Sequence, residues 1–356
     1  MKQTNTHDAN HQAPNVEWVG AEASSGAVTI LDVADARRDR IHFEVAAYLA
    51  ENVPAGTVEG RLNQIGDDVS EIIADHLPLG NRLTLKGFDD NDHGLALIVD
   101  NIFDVREGRL PDTPVAGAPD EYSGVIRAND AVLAGLTHMM GQTITATGGE
   151  NGGHAFRNVV PAIGQENQLS SQGSDVTFGW HSDQFGGPMS GASLGSLVPD
   201  YLNFAVLRNR EKAATKLLFN EQVLAELPGW VSQSLEQPDF VLGVPVSNSY
   251  SVDTAERRNM RIIDDDCGYA FIRYDQQGMM KDELSPMSLK ALGAFESVLS
   301  LQQPSVIINS RPGQFLAIKQ RRMLHRRDAF KPRQPLMGAR WLRRAYGVIC
   351  EETRDA

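Results

Sequence analysis

The chain has only two cysteines in 356 residues, Cys267 and Cys350, far apart and without the short spacing of a metal-binding pair. This excludes a disulfide framework and fits a reducing compartment in which both thiols are simply buried. No apolar run approaches the roughly 18 residues needed for a membrane-spanning helix. The N-terminus has one early lysine, then polar residues, and lacks an apolar h-region. A secretory signal is therefore not expected, and a cytoplasmic location is. Positive charge is scarce: 33 Lys and Arg face 46 Asp and Glu, a formal charge of −13. That balance repels nucleic-acid phosphate and anionic lipid, so neither nucleic acid nor membrane is an expected partner. Internal repeats, low-complexity tracts and long Pro/Gly/Ser linkers are all missing, which argues against several independent domains. What remains is ordinary for a soluble globular protein, with 41% hydrophobic and 22% charged residues, enough for a sizeable core.

Residues 1–17 are polar and read as a flexible N-terminus. A single domain is expected over 18–356, with a helical part over 18–145 and a metal-binding β core over 146–350. Helical periodicity runs through Ile30–Asn52, Gly56–Leu77 and Asn129–Met140, and His93–Ile102 reads as a buried strand. The glycine-rich Gly148–Gly153 reads as a loop. Beyond it come short β runs: Thr177–His181, Leu202–Arg208, Thr215–Phe219, Tyr269–Tyr274, Ser305–Ile308, Phe315–Lys319 and Arg344–Cys350. Helical interruptions fall at Asn220–Leu227 and Ser288–Leu301. Short strands without regular βαβ alternation predict a mainly β fold, a sandwich or barrel, with helices packed outside.

The chemistry centres on Phe178-Gly179-Trp180-His181-Ser182-Asp183-Gln184. In a strand, residues i and i+2 point to the same face, so His181 and Asp183 can reach one point in space. An imidazole and a carboxylate converging in this way supply two ligands of a facial triad. The pattern His-x-Asp arises often by chance, and its weight comes from residues far downstream. His325, in Arg322-Met323-Leu324-His325-Arg326-Arg327, is the best candidate for the third ligand. Three positions on an octahedral iron would then be left for a chelating co-substrate and dioxygen. Fifteen residues after His325 comes Arg340-Trp341-Leu342-Arg343-Arg344. Alternation sends Arg340, Leu342 and Arg344 to one face and Trp341 and Arg343 to the other. The planar fork of arginine suits a buried carboxylate. The whole stretch Lys319 to Arg344 is basic within an acidic chain, either a receptor for small carboxylates or a solvated face. Asp264-Asp265-Asp266 reads as a turn facing water.

These motifs resemble the Fe(II)/2-oxoglutarate-dependent oxygenases, and more narrowly the clavaminate synthase-like group that includes asparagine and arginine β-hydroxylases. The group's closing segment is matched by His325-Arg326-Arg327, Phe330-Lys331-Pro332-Arg333 and Arg340-Trp341-Leu342-Arg343-Arg344, and Arg210–Thr215 resembles another of its segments. The likeness covers roughly Asn158 to Val348. It implies a double-stranded β-helix (jelly roll) core with His181, Asp183 and His325 on iron. It also implies Arg340 and Thr215 on 2-oxoglutarate, and Arg344, Asp275, Ser170 and Ser171 on the substrate. The implied cofactor is Fe(II), with 2-oxoglutarate as co-substrate and dioxygen. The implied reaction hydroxylates an unactivated carbon of a free amino acid or amino-acid derivative.

The chain departs from the group in three places. Asp183 stands where the group usually has Glu. Gln277 replaces the second acid by which arginine hydroxylases read a guanidinium, and Gly186–Ala192 is an unfamiliar glycine-rich segment. A residue other than glycine or alanine at 183 argues against halogenation. Other readings are a taurine dioxygenase-like oxygenase acting on a non-amino-acid or carrier-protein-bound substrate, or desaturation or cyclisation of the same substrate radical. A different class is a non-oxidative metal-dependent binding protein or isomerase, which would have no use for the Arg340 and Thr215 clamp.

Overall fold

The computed structural model describes residues 15–18, 26–53, 61–115, 124–146, 153–167, 173–184, 187, 197–243, 257–266 and 268–349. Cys267, Cys350, Ser170, Ser171 and most of the glycine-rich stretch 186–192 lie outside these residues.

Strand β1 (Asn15–Trp18) falls at the end of the stretch read as flexible, and β2 (Val28–Asp32) takes the start of the first predicted helix. β2 is a strand because it pairs in parallel with β3 (Ala96–Asp100), whose five residues are all buried; the ladder overrides local helical preference. Between them lie α1 (Asp35–Asn52), α2 (Leu62–His76) and α3 (Leu79–Lys86), and α4 (Gly124–Met139) follows. Ile65, Val69 and Ile73 make the buried stripe of α2, the spacing that turns one helix face inward. Helices α2 and α4 approach each other on glycines. A Cβ on Gly66 would lie 2.4 Å from the His138 ring, and one on Gly135 would lie 2.8 Å from Val69. Neither position has room for a side chain.

The β core continues with β4 (Gln142–Thr145), β5 (Arg157–Val159), β6 (Phe178–His181), β7 (Tyr201–Arg208) and β8 (Thr215–Phe219). After α5 (Asn220–Ala225) and α6 (Gly229–Leu235) come β9 (Phe240–Leu242), β10 (Arg257–Met260), β11 (Ile263–Asp266) and β12 (Tyr269–Ile272), paired as β9–β10 and β11–β12. Helix α7 (Pro286–Leu301) starts on Ser285, whose side chain accepts a hydrogen bond from Ser288 N, with Pro286 in the first turn. The last strands are β13 (Val306–Asn309), β14 (Phe315–Lys319), β15 (Met323–Arg327) and β16 (Trp341–Ile349).

Two sheets result. The larger runs β2-β3-β14-β7-β16-β4, with β5 also on β16, and the smaller runs β1-β13-β8-β15-β6. Among the described residues every pairing except β2–β3 is antiparallel. One face of the larger sheet packs on the helices through Tyr201, Ala205, Phe315 and Ala345. Its other face meets the smaller sheet through Leu202, Leu217, Leu316 and Met323. β3, β14 and β16 are buried along their whole length because both faces are covered. The fold is thus mainly β with packed helices, as the pattern of short runs predicts. The helix-rich N-terminal part also contributes β2 and β3 to the larger sheet.

The basic C-terminal stretch is not a solvated face. Lys319, Arg321, Arg327, Arg340, Arg343 and Arg344 are all buried. Lys319 donates to the carbonyls of Asp89 and Asn91, Arg321 pairs with Asp200 at 3.1 Å, and Arg343 pairs with Asp130 of α4 at 2.7 Å. The acidic run also differs from expectation: it lies in β11, and Asp264 pairs with the buried Arg273 at 2.9 Å. No helix among the described residues is long and apolar enough to cross a membrane.

Candidate metal centre

β15 lies between β8 and β6, and its register brings His325 directly opposite His181. Directly opposed residues of an antiparallel pair point to the same face, so both imidazoles project into the space between the sheets. Their ring centroids are 4.0 Å apart. Asp183 sits just past the end of β6, on a turn in which Gln184 adopts a positive φ of 51°. His181 Nε2 and His325 Nε2 lie 3.6 and 3.8 Å from the same oxygen, Asp183 Oδ1. One ligand atom from each of the three residues falls within 4.8 Å of the others, a spacing that can hold one metal ion.

The surroundings of the three side chains bear on whether they can hold a metal. His181 Nδ1 lies 2.8 Å from the Gly179 carbonyl; an N–H there donates to that oxygen and leaves Nε2 with its lone pair. Burial, reinforced by the neighbouring His181 and opposed by Asp183, lowers the His325 pKa to about 3. That imidazole is therefore neutral near pH 7, as a ligand must be. Burial opposes the charge on Asp183, but Arg344, the two imidazoles and Arg157 outweigh it and hold the carboxyl well below the usual carboxylate range. Two imidazole nitrogens and one carboxylate fit a divalent iron.

Sequence reasoning missed most of the groups that fix Asp183, and it singled out Arg344 only for the substrate. The side chain of Gln320, fully buried, accepts from Asp183 N at 2.9 Å and donates to Asp183 O at 3.1 Å, with Pro199 O as a further acceptor. Ser182 Oγ donates to Ile272 O and accepts from Tyr274 N, tying the end of β6 to the segment after β12. Asp183 Oδ2 receives Arg344 Nη1 at 2.7 Å and the Tyr346 hydroxyl at 3.3 Å. Arg157 of β5 stands opposite Arg344 across the sheet. Arginine, glutamine and tyrosine at such separations carry no local signal; only strand register brings them together.

Arg340 precedes β16 and is buried. Burial, then the nearby Arg327, lowers its pKa to about 9, with Glu211 opposing. Glu211 Oε1 is occupied by the backbone N–H groups of Arg333 and Arg340. Arg340 Nε is buried without a partner, and no carboxylate among the described residues pairs with its guanidinium. Arg340 and Arg327 both lie over the Phe330 ring, at 5.9 and 4.8 Å from its centroid. Arg327 stands opposite Thr215, and its own donors go to the carbonyls of Gly173 and Asp328. Arg327 and Arg340 thus share Phe330, with Thr215 opposite Arg327, and among the described residues no carboxylate forms an ion pair with either guanidinium. Asp275 is also buried near the histidines. Burial raises its pKa, partly offset by His181 and by the Gln277 N–H that its Oδ1 accepts at 2.9 Å. With Gln277, Phe178 and His181 it lines a cleft at the end of the candidate metal cluster.

No family model matches the chain. L-lysine 3-hydroxylase from Catenulispora acidiphila is 28% identical over 215 residues, 58% of this chain and 55% of that relative, so the match spans about half the relative's length. Asparagine oxygenase, solved with Fe(II), 2S,3S-3-hydroxyasparagine and succinate, superimposes with a TM-score of 0.69 at 20% identity, covering 90% of this chain and 93% of its own. The non-haem iron oxygenase OrfP, solved with Fe, succinate and (3S)-hydroxy-L-Arg, gives 0.72 at 18% identity, covering 92% and 96%. The two-sheet core is therefore the jelly roll of these oxygenases, the fold that the motif resemblance implies.

Proposed function

We propose that this protein is a non-haem Fe(II)/2-oxoglutarate-dependent hydroxylase of a free basic amino acid, with L-lysine the first substrate to test. The observation that carries the reading is the pairing of a His181–Asp183–His325 cluster with Arg340, a buried guanidinium that lacks a carboxylate partner among the described residues. An unpaired buried cation is costly, and a dicarboxylate co-substrate would remove the cost. A simple metal-binding protein or isomerase would have no such need.

His181, Asp183 and His325 would hold the iron, and Arg340, with Thr215, would hold the far carboxylate of 2-oxoglutarate. When bound, iron(II) and 2-oxoglutarate supply the chemistry: dioxygen is consumed, one oxygen atom enters the substrate C–H bond, and succinate and carbon dioxide leave. The chain's own residues bind, orient and exclude water. The Phe178 ring centroid lies 3.8 Å from that of His181, the two rings tilted by 34°. Asp275 offers a carboxylate to a cationic side chain, and Gln277 beside it offers no second charge, which favours an ammonium over a guanidinium. Arg344 meets the substrate's carboxylate; the substrate contacts that the resemblance implies for Ser170 and Ser171 lie outside the described residues. The relatives that carry amino acids carry them free, which favours a free amino acid over one tethered to a carrier protein.

The test is a screen of L-lysine, L-ornithine, L-arginine and L-asparagine for succinate release and a mass gain of one oxygen. Coupled release with lysine or ornithine supports the proposal. Release that no amino acid stimulates above the uncoupled rate overturns the substrate class. No 2-oxoglutarate consumption under any condition overturns the oxygenase reading.

A further inference from the structure

The two oxygens of Asp183 face different neighbours. Oδ1 looks toward the Nε2 atoms of both histidines. Oδ2 is turned away and receives Arg344 Nη1 at 2.7 Å and Tyr346 OH at 3.3 Å. Arg344 and Tyr346 are two residues apart on β16 and so share a face, and the guanidinium lies 4.0 Å over the tyrosine ring. Both are buried, and Arg344 is fixed between Phe204 of β7 and Arg157 of β5 in the sheet register. Rotation about the Cβ–Cγ bond exchanges the two oxygens of an aspartate, so a donor that captures one oxygen decides which oxygen the histidines meet.

We propose, resting on the iron reading above, that Arg344 is a positioning residue for the metal-binding carboxylate. With Tyr346 it holds Asp183 Oδ2 and presents Oδ1 alone to the metal. This is in addition to the substrate contact that the resemblance implies. Because Arg344 grips the ligand carboxylate, a substrate anion arriving at the same guanidinium would act directly on the ligand geometry. Arg157, which stands opposite Arg344 and whose charge also acts on Asp183, supplies cationic field at the same end of the site.

The direction of the effect separates this role from plain electrostatics. Removing a cation beside a dication site strengthens metal binding if charge alone matters. Removing a group that orients a ligand weakens it, typically by 10- to 100-fold. The experiment titrates metal-free protein with Co(II) by calorimetry and by its visible absorption, while thermal unfolding without metal checks that each variant is folded. Arg344→Met is expected to weaken Co(II) binding by about tenfold or more and to change the visible spectrum, with partial recovery in Arg344→Lys, which keeps one donor. Tyr346→Phe should weaken binding less, and Arg157→Met should leave it equal or tighter. If Arg344→Met does not fold, the Arg344→Lys and Tyr346→Phe pair carries the same comparison against Arg157→Met. Wild-type binding with unchanged or tighter affinity in the Arg344 and Tyr346 variants overturns the positioning role and leaves the iron reading intact. Failure of wild-type protein to bind Co(II) at all overturns the iron reading, and this role with it.

Discussion

Replacing Arg340 by methionine should move stability and co-substrate affinity in opposite directions. The guanidinium's pKa is lowered from 12.5 to about 9 by burial first and by Arg327 second. A cation whose folded pKa lies below its unfolded value is disfavoured in the fold. At pH 7 both states are protonated, so the whole penalty is present. That displacement corresponds to roughly 3–5 kcal/mol. Methionine fills most of the same volume without the charge, so the ligand-free protein should recover about 1–3 kcal/mol and unfold roughly 1–4 °C higher. For 2-oxoglutarate the sign reverses. Truncating one partner of a buried, hydrogen-bonded charge pair costs about 2–5 kcal/mol, or roughly 30-fold to several-thousand-fold in Kd. The assay is thermal unfolding with and without 2-oxoglutarate, together with calorimetric titration of the Co(II)-loaded protein. Wild type should gain melting temperature with 2-oxoglutarate, and the variant should start higher and gain little. A variant that melts lower without ligand and still binds 2-oxoglutarate normally would refute the reasoning, because Arg340 would then be a structural cation.

Three further outcomes are expected. His181→Ala and Asp183→Ala should each abolish amino-acid-stimulated succinate release and bound iron, and a normal rate in either removes the metal assignment. Arg343 and Asp130 form an ion pair in which each side chain is 1% exposed. Arg343→Met should cost about 3–5 kcal/mol in urea unfolding, and adding Asp130→Leu should restore most of it; additive losses would show that the pair is not what matters. His42 is held neutral by burial, its pKa lowered from 6.5 against the favourable contact of its Nε2 with Ile102 O at 3.0 Å. Its stabilising effect is present above the unfolded value and is lost as pH falls below about 6.5, where the unfolded chain takes up the proton. His42→Gln should flatten the stability–pH slope in that window, and an unchanged slope would assign it to other groups.

The parts of this protein that obey ordinary patterning were legible in the sequence. Thr215–Phe219 and Phe315–Lys319 are strands at the bounds their composition predicts, because apolar residues dominate them and both pack in the core. β15 was not predicted, since Met323-Leu324-His325-Arg326-Arg327 shows the polarity of a surface segment while lying in the interior. The surroundings explain the exception: His325 faces His181 and Asp183, and Arg327 donates to backbone carbonyls. β5, with Arg157 at its start, was hidden for the same reason. His181 and Asp183 were legible through their spacing, and His325 and Arg340 through their order in the chain. Gln320, Tyr346 and Arg157 were not, because each meets Asp183 or its neighbours only once segments distant in sequence are brought together. The basic stretch was ambiguous until its burial was known, and burial depends on the helices that cover β16.

The most direct test of the metal and co-substrate assignment is anaerobic titration of Fe(II)-loaded protein with 2-oxoglutarate. The readout is the weak visible metal-to-ligand charge-transfer absorption. The band should appear in wild type with one equivalent of iron bound, saturate with 2-oxoglutarate, and need far more co-substrate in Arg340→Met. No band from protein that demonstrably holds iron would contradict the oxygenase reading and leave only a metal-binding jelly roll.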